Sequence, residues 1–194
     1  MAKLYFRYGA MGSSKTANAL MVRYNYLDRG KTAIIIKPDG ECRDGFDIVK
    51  SRIGLSAKCH DFKWLKETIT NMDKRMIWDC IIVDEAQFLT PLQVEYLAEI
   101  VDMYNRPVIC YGLRTDFLGN LFDGAARLMA LADVIEEIPT VCWCGKKAQF
   151  NARVKNGQIV RTGKQIKYGG NECYTALCRK HFKKGIVENP DETD

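Results

Sequence analysis

The stretch Gly9-Ala-Met-Gly-Ser-Ser-Lys15-Thr16 follows directly on the apolar run Leu4-Tyr-Phe-Arg-Tyr8. Together they read as a strand, a loop of small residues ending in Lys-Thr, and a helix opening at Thr16-Ala-Asn-Ala-Leu-Met. A phosphate cradle needs that order. Backbone N–H groups of the loop face the anion, the helix N-terminus adds partial positive charge, and Lys and Thr reach phosphate and Mg²⁺. The expected contacts are Gly9, Ala10, Met11, Gly12, Ser13, Ser14, Lys15 and Thr16, and the expected ligand is a nucleoside triphosphate. One residue departs from the G-x-x-x-x-G-K-[ST] pattern: Ser14 stands where the second glycine belongs, and a glycine sits at position 12 instead. Were position 14 to need a positive φ, serine would cost about 1 kcal/mol there.

Working outward, β-rich runs alternate with amphipathic segments over the first two-thirds of the chain. Strands are expected at Lys3–Tyr8, Thr32–Lys37, Asp79–Asp84, Pro107–Gly112 and Asp133–Ile138, and helices at Lys15–Arg29, Phe62–Lys74, Pro91–Tyr104 and Phe122–Leu131. Ile34-Ile35-Ile36 and Ile81-Ile82-Val83 are apolar without alternation, as strands covered on both faces are. The alternation predicts an α/β fold, a parallel sheet flanked by helices. Thr90-Pro91 reads as an N-cap with proline at the first helical position. Pro38–Ala57, poorly periodic and rich in Gly, Asp and Arg, reads as a long mobile functional loop. Near Thr140 the alternation stops, which divides the chain into an α/β domain at 1–139, a small domain at 140–187 and an acidic tail at 188–194.

The chain has 194 residues, 47% hydrophobic and 27% charged, with a net charge of +5. That suits one ordinary domain plus an appendage, and a mild attraction for anions. No block of consecutive basic residues marks a nucleic-acid tract, and no apolar run approaches the ~20 residues that span a bilayer. Arg7 falls inside what would be the apolar part of a signal segment, so a cytoplasmic, reducing location is expected. Of the eight cysteines, Cys42, Cys59, Cys80 and Cys110 read as unpaired packing residues.

Ile81-Ile82-Val83-Asp84-Glu85-Ala86-Gln87 is the second anchor. An apolar strand ending in Asp-Glu is the usual partner of a phosphate loop. Asp84, with Thr16, would serve Mg²⁺, while the next acid can orient or deprotonate a nucleophile. In the last third, Cys142-Trp-Cys144 and Cys178-Arg-Lys-His181 form two close pairs of soft ligands, suited to a closed tetrahedral Cys₃His zinc site. The Cys-x-Cys pair is tighter than common zinc spacing, and Cys173 is a spare thiol that could compete. Such a site would stabilise an appendage too small to fold on its own core. Phe117, Phe150 and Tyr174 are aromatic candidates for a base pocket, although spacing alone favours ordinary packing. Arg43, Arg52 and Arg114 are loop arginines able to clamp phosphates or simply solvated. His60 reads as a surface or strand-edge residue.

Gly9–Thr16, Val83-Asp-Glu-Ala-Gln-Phe88, Gly112-Leu-Arg-Thr-Asp-Phe117, the Cys/His quartet and Gly169-Gly-Asn-Glu-Cys-Tyr174 together resemble the thymidine kinase family. More narrowly, they resemble its bacterial form, in which a phosphate-loop domain carries a zinc-bound lasso domain. The resemblance covers nearly the whole chain in the family's order. It implies transfer of the ATP γ-phosphate to the 5′-hydroxyl of thymidine, with Lys15 and the loop backbone on ATP and the Asp84–Gln87 strand end beside them. Glu85 would be the base. Arg43 would lie near the transferring phosphate, although Glu41-Cys42 replaces the family's usual Asp-Thr before it. Met11, Leu113 and Phe117 match positions around the thymine, and Tyr174 with the Ile166–Tyr174 backbone matches the lasso closing over it. The resemblance also implies a homotetramer and feedback inhibition by thymidine triphosphate.

Two other readings compete. Asp84-Glu-Ala-Gln is similar to a motif of helicase-like ATPases, which need two motor domains and hence a longer chain. A zinc-ribbon binding module on an inactive phosphate-loop domain is the non-enzymatic alternative, and Ser14 is the residue that favours it.

Overall fold

The computed structural model describes residues 1–41, 45–71, 77–165 and 173–188. In chain order the first part runs β1 (Leu4–Tyr8), α1 (Lys15–Asp28), β2 (Ala33–Lys37), β3 (Ile48–Lys50), β4 (Ser56–Lys58), β5 (His60–Asp61), α2 (Phe62–Asn71) and β6 (Cys80–Val83). A 3₁₀ turn at Ala86–Phe88 follows, then α3 (Pro91–Tyr104), β7 (Val108–Gly112), α4 (Asp123–Leu131) and β8 (Val134–Glu137). Six of these strands form one sheet in the order β5-β2-β6-β7-β1-β8, with parallel pairing throughout.

The continuous apolar runs explain the layering. In β6, Ile81 and Val83 face a cluster with Phe62, Leu65, Leu97, Ile100 and Leu128 from α2, α3 and α4. Cys80 and Ile82 face the other side, with Ala19 and Leu20 of α1. Alternate residues thus enter two cores, so a strand apolar at every position is what the sheet centre requires. The thiols of this part pack as expected: Cys80 of β6, Cys110 of β7 and Cys59 between β4 and β5 are buried and free. Burial raises the Cys59 thiol to about 11 and the Cys80 thiol to about 12, and raises Cys110 as well. Cys42 lies outside the described residues. The α3 start is a capping box, with the Thr90 side chain accepting from Gln93 N–H and the Gln93 side chain accepting from Thr90 N–H, and Pro91 follows as the first helical residue.

The expectation of one long mobile loop over Pro38–Ala57 is corrected by the described part of that segment. It contains the antiparallel pair β3–β4. Ser51 closes its turn, donating its N–H to Leu55 O at 2.8 Å and accepting Leu55 N–H at 3.0 Å, while Gly54 takes φ 91°. Val49 anchors the hairpin in the α1-side cluster. Strands of three residues are too short for alternation to show. The edge strand β5 is likewise new, and its exposed His60 stacks on Trp64 at 3.6 Å.

The C-terminal part comprises β9 (Thr140–Val141), β10 (Lys147–Ala148), β11 (Phe150–Lys155), β12 (Gln158–Ile159), β13 (Cys173–Leu177) and α5 (Arg179–Lys184). β9 and β10 form a hairpin, and a separate sheet has the order β12-β11-β13. Its own apolar cluster consists of Cys142, Ala148, Ala152, Val154, Leu177, Cys178 and Phe182. Two of those seven are cysteines.

Candidate functional site

The two anchor motifs meet, although their strands are not neighbours. β7 lies between β1 and β6 in the sheet, yet Thr16 Oγ1 donates to Asp84 Oδ2 at 2.9 Å. The end of β7 makes this possible. Gly112 accepts the Gly9 N–H through its carbonyl at 3.2 Å. A Cβ on Gly112 would come within 2.8 Å of Gln87 Oε1 and 3.0 Å of Gln87 N. A side chain there would wedge the loops apart.

Within the loop, Ser14 is left-handed, with φ 58° and ψ 27°, and makes no side-chain cap to α1. The glycine displaced to position 12 is also left-handed, at φ 77°. The conformation that a glycine would relax is therefore imposed on a serine. Lys15 Nζ lies on the loop's own oxygens, 3.1 Å from Gly9 O, 2.9 Å from Ala10 O and 3.2 Å from Ser13 Oγ. Not every loop amide faces an anion. The Gly9, Met11 and Ser13 N–H groups donate to Gly112 O, Asn151 Oδ1 and Ala10 O. The first turn of a helix offers N–H groups that have no acceptor within the helix, so the start of α1 is where an anion can be received.

Glu85 follows Asp84 in a left-handed conformation, at φ 52°. The turn carries the chain out of β6 at once. The buried Gln87 then holds two pieces together, donating to Glu85 Oε2 at 2.6 Å and accepting Leu113 N–H at 2.9 Å. A cavity of about 670 Å³ is lined by Met11, Gly12, Ser14, Lys15, Thr16 and Ala17, by Glu85 and Leu113, and by Lys50–Ile53 of the β3–β4 turn. Of the three loop arginines, Arg52 thus lines the cavity, whereas Arg114 sits over the Tyr8 ring at 5.4 Å. Arg43 lies outside the described residues. The chain on either side of it is tied down: the buried Lys37 ammonium pairs with Glu41 at 2.8 Å and donates to Gly45 O and Ile48 O at 2.8 and 3.0 Å.

Phe117 and Tyr174 meet through a residue that sequence reasoning missed. Arg153 of β11 is 2% exposed. Its guanidinium lies 3.7 Å from the Phe117 ring centroid, and its Nε donates to the Tyr174 hydroxyl at 2.7 Å. It also donates to Lys164 O and Gln165 O, at 3.1 and 3.3 Å, where the Ile166–Tyr174 segment begins. Nothing in Phe150-Asn-Ala-Arg-Val-Lys155 distinguishes a buried arginine from a solvated one. Residues 166–172 of the expected lasso lie outside the described residues. Phe150, grouped with the base-pocket candidates, stacks instead on Phe182 at 4.7 Å and packs against the C-terminal cluster.

The quartet Cys142, Cys144, Cys178 and His181 brings its ligand atoms within 4.8 Å of one another. Sγ of Cys142 and Sγ of Cys178 each lie 3.5 Å from His181 Nδ1, and Cys144 and Cys178 sulfurs are 4.0 Å apart. A tetrahedral zinc with Zn–S bonds of ~2.3 Å places its sulfurs about 3.8 Å from each other, so the donor set fits. The tight Cys-x-Cys pair works because Gly145, at φ 77°, turns the chain and donates to Cys142 O at 2.9 Å. Trp143, between the cysteines, stacks on the His181 ring at 4.2 Å and fixes its plane.

Comparison with known proteins agrees with this geometry. A family model described as thymidine kinase matches residues 2–182. The chain is 45% identical to a thymidine kinase of Francisella tularensis subsp. tularensis, over 97% of this chain and 100% of that protein. It is 42% identical to one of Rhodopirellula baltica, over 99% and 93%, and 44% identical to one of Coxiella burnetii, over 95% and 97%. A family match over residues 2–182, with relatives 42–45% identical over nearly the full length, places the chain in the thymidine kinase family.

Proposed function

We propose that the protein transfers the γ-phosphate of ATP to the 5′-hydroxyl of thymidine, giving thymidine 5′-monophosphate and ADP. The observation that carries this reading is one cavity lined by both Lys15–Thr16 and Glu85. A phosphate-loop enzyme needs donor phosphate and acceptor hydroxyl in one water-poor space, because its catalysis is mostly alignment and charge neutralisation.

Each residue has a role in this reading. The amides of Gly12 and of the first α1 turn hold the phosphates, and the Lys15 ammonium leaves the loop carbonyls to follow the γ-phosphate. Thr16 and Asp84 would hold Mg²⁺, which supplies charge neutralisation on the phosphate oxygens. Glu85, oriented by Gln87, accepts the proton of the 5′-hydroxyl. Arg43 is assigned to the transferring phosphate. Met11 and Leu113 line the cavity toward the nucleoside, and Phe117 and Tyr174, joined by Arg153, bracket the thymine. The 166–174 segment, of which residues 166–172 lie outside the described residues, is assigned by family resemblance the role of covering the base and excluding water as a rival nucleophile. Residues 140–187 form a unit held by structural zinc on Cys142, Cys144, Cys178 and His181, apart from the nucleotide domain at 1–139.

The family membership supports three further assignments: a homotetramer, feedback inhibition by thymidine triphosphate, and a cytoplasmic location for nucleotide salvage. Among the described residues no helix is long and apolar enough to cross a membrane. The deciding experiment is a panel of nucleosides with γ-labelled ATP, scored for monophosphate products. Label should pass to thymidine and leave cytidine and the purines unlabelled. Nucleoside-independent ADP release would make the chain an ATPase, and binding without any transfer would make it an inactive module.

A further inference from the structure

Asn151 of β11 is a buried polar side chain, 3% exposed, whose amide is used at both ends. Its Oδ1 accepts the Met11 N–H at 2.7 Å, and its Nδ2 donates to Thr115 O at 3.0 Å. The partners fix the amide's orientation, since a backbone N–H can only donate and a carbonyl can only accept. Met11 lies in the phosphate loop between Gly9 and Gly12. Thr115 lies between Leu113, which lines the cavity, and the buried Phe117. One side chain therefore ties the donor-side loop to the acceptor-side loop.

The strand that presents this amide packs against the Cys/His quartet. In β11, Asn151 pairs with Ala176 of β13, two residues before Cys178. The adjacent Ala152 packs in the cluster that contains Cys142 and Cys178. A loop with glycine on both sides of Met11 has several backbone routes open to it. Holding the Met11 N–H selects one route and aims the following Gly12 amide. From these contacts we infer that Asn151 is a positioning residue, through which the zinc-held unit sets the register between the phosphate loop and the 113–117 loop. The inference rests on the kinase reading for its catalytic meaning, but its physical content is the order of the phosphate loop.

The test compares wild type with Asn151→Ala and with Asn151→Leu, which keeps the side-chain volume. Three quantities are measured: Mg·ADP affinity by calorimetry, zinc content, and hydrogen exchange in peptides spanning 9–16 and 141–148. The expected result is about tenfold weaker Mg·ADP binding and faster exchange at 9–16, with zinc content and exchange at 141–148 unchanged. Supplementary kinetics should show the KM for ATP and the KM for thymidine rising together. Unchanged exchange at 9–16, or affinity within twofold of wild type, overturns the inference. So does loss of zinc or of folding in both variants, because Asn151 would then serve the C-terminal core alone. ADP binding and exchange need no acceptor nucleoside, so they judge Asn151 even if the wild type fails to phosphorylate thymidine; that failure would overturn the kinase reading and leave the positioning result standing.

Discussion

Thr16 Oγ1 donates to Asp84 Oδ2 at 2.9 Å across the end of an intervening strand. Asp84 is 2% exposed, so this carboxylate is not a solvated strand-end acid. A buried carboxylate held by a hydroxyl is poised to exchange that partner for a cation. Thr16→Ala and Asp84→Asn are each expected to lower turnover by ~10²–10³-fold and to raise the Mg²⁺ concentration needed for half-maximal rate. Titrating Mg²⁺ against initial velocity checks this, and an unshifted requirement would detach the pair from the metal.

Glu85→Gln should keep nucleotide affinity and lose ~10²–10⁴-fold in turnover, the usual scale for a general base. Gln87→Leu removes the donor to Glu85 and the acceptor for Leu113 N–H together, so it should reduce kcat and raise the KM for thymidine. The KM for thymidine measured beside kcat separates the two variants. Near-normal turnover in Glu85→Gln would take that carboxylate out of the proton transfer.

Ser14 bears a left-handed backbone at φ 58°. Ser14→Gly is expected to stabilise the fold by about 1 kcal/mol and to lower the KM for ATP. Denaturant melts and steady-state kinetics report these two effects independently. A loss of stability would mean that the serine side chain contributes more than its backbone costs.

Gly112 is the spacer between the motifs. Gly112→Ala would push a methyl to 2.8 Å from Gln87 Oε1, and overpacking of this kind costs ~1–3 kcal/mol. Because Gln87 holds Glu85, turnover should fall more than the melting temperature alone would suggest. Wild-type kcat in the alanine variant would show that the strand end yields freely.

One zinc per chain is expected, lost in Cys144→Ser together with thermal stability, as metal analysis and melting would record. The packing thiols supply a separate pH test. Burial holds Cys59 at about 11 and Cys80 at about 12, against an ordinary value of 9.0. A folded-state value above the unfolded one means that this contribution is complete below pH 9. It declines once unfolded thiols ionise, and is lost by about pH 11–12. Denaturant melts from pH 8 to pH 11 should therefore show falling stability, less steeply in Cys80→Ala.

Much of the nucleotide half was readable from local signals. Among the described residues, five of the six parallel strands and four helices of residues 1–139 match their expected positions to within a few residues, because their apolar runs are long and the start of α3 carries a capping box; the expected end of α2 at Lys74 lies outside the described residues. The acid pair was readable for the same reason. His60–Asp61 and the 48–58 hairpin were not, since strands of two or three residues carry no period. The zinc quartet was visible as ligand types at close spacing. The burial of Arg153 and the two hydrogen bonds of Asn151 left no trace in the sequence: Asn151 bonds to residues 36 and 140 positions away, and Arg153 packs on Phe117 and bonds to Lys164, Gln165 and Tyr174, none of them a local neighbour.

By itself the sequence determined the chemical vocabulary of this protein: a small-residue loop with Lys15-Thr16, an acid pair closing an apolar strand, and four soft metal ligands. Those follow from residue types at fixed local spacing, which the backbone translates into strand, turn and helix without outside help. Only the tertiary structure decided that β7 would intervene between the two motifs and that Gly112 would let them touch. It also decided that Asn151 and Arg153 would join the strand beside the Cys/His quartet to the 9–16 loop and the 113–117 loop. The physical reason is that a hydrogen bond between distant segments is set by sheet order and burial, which no local pattern encodes.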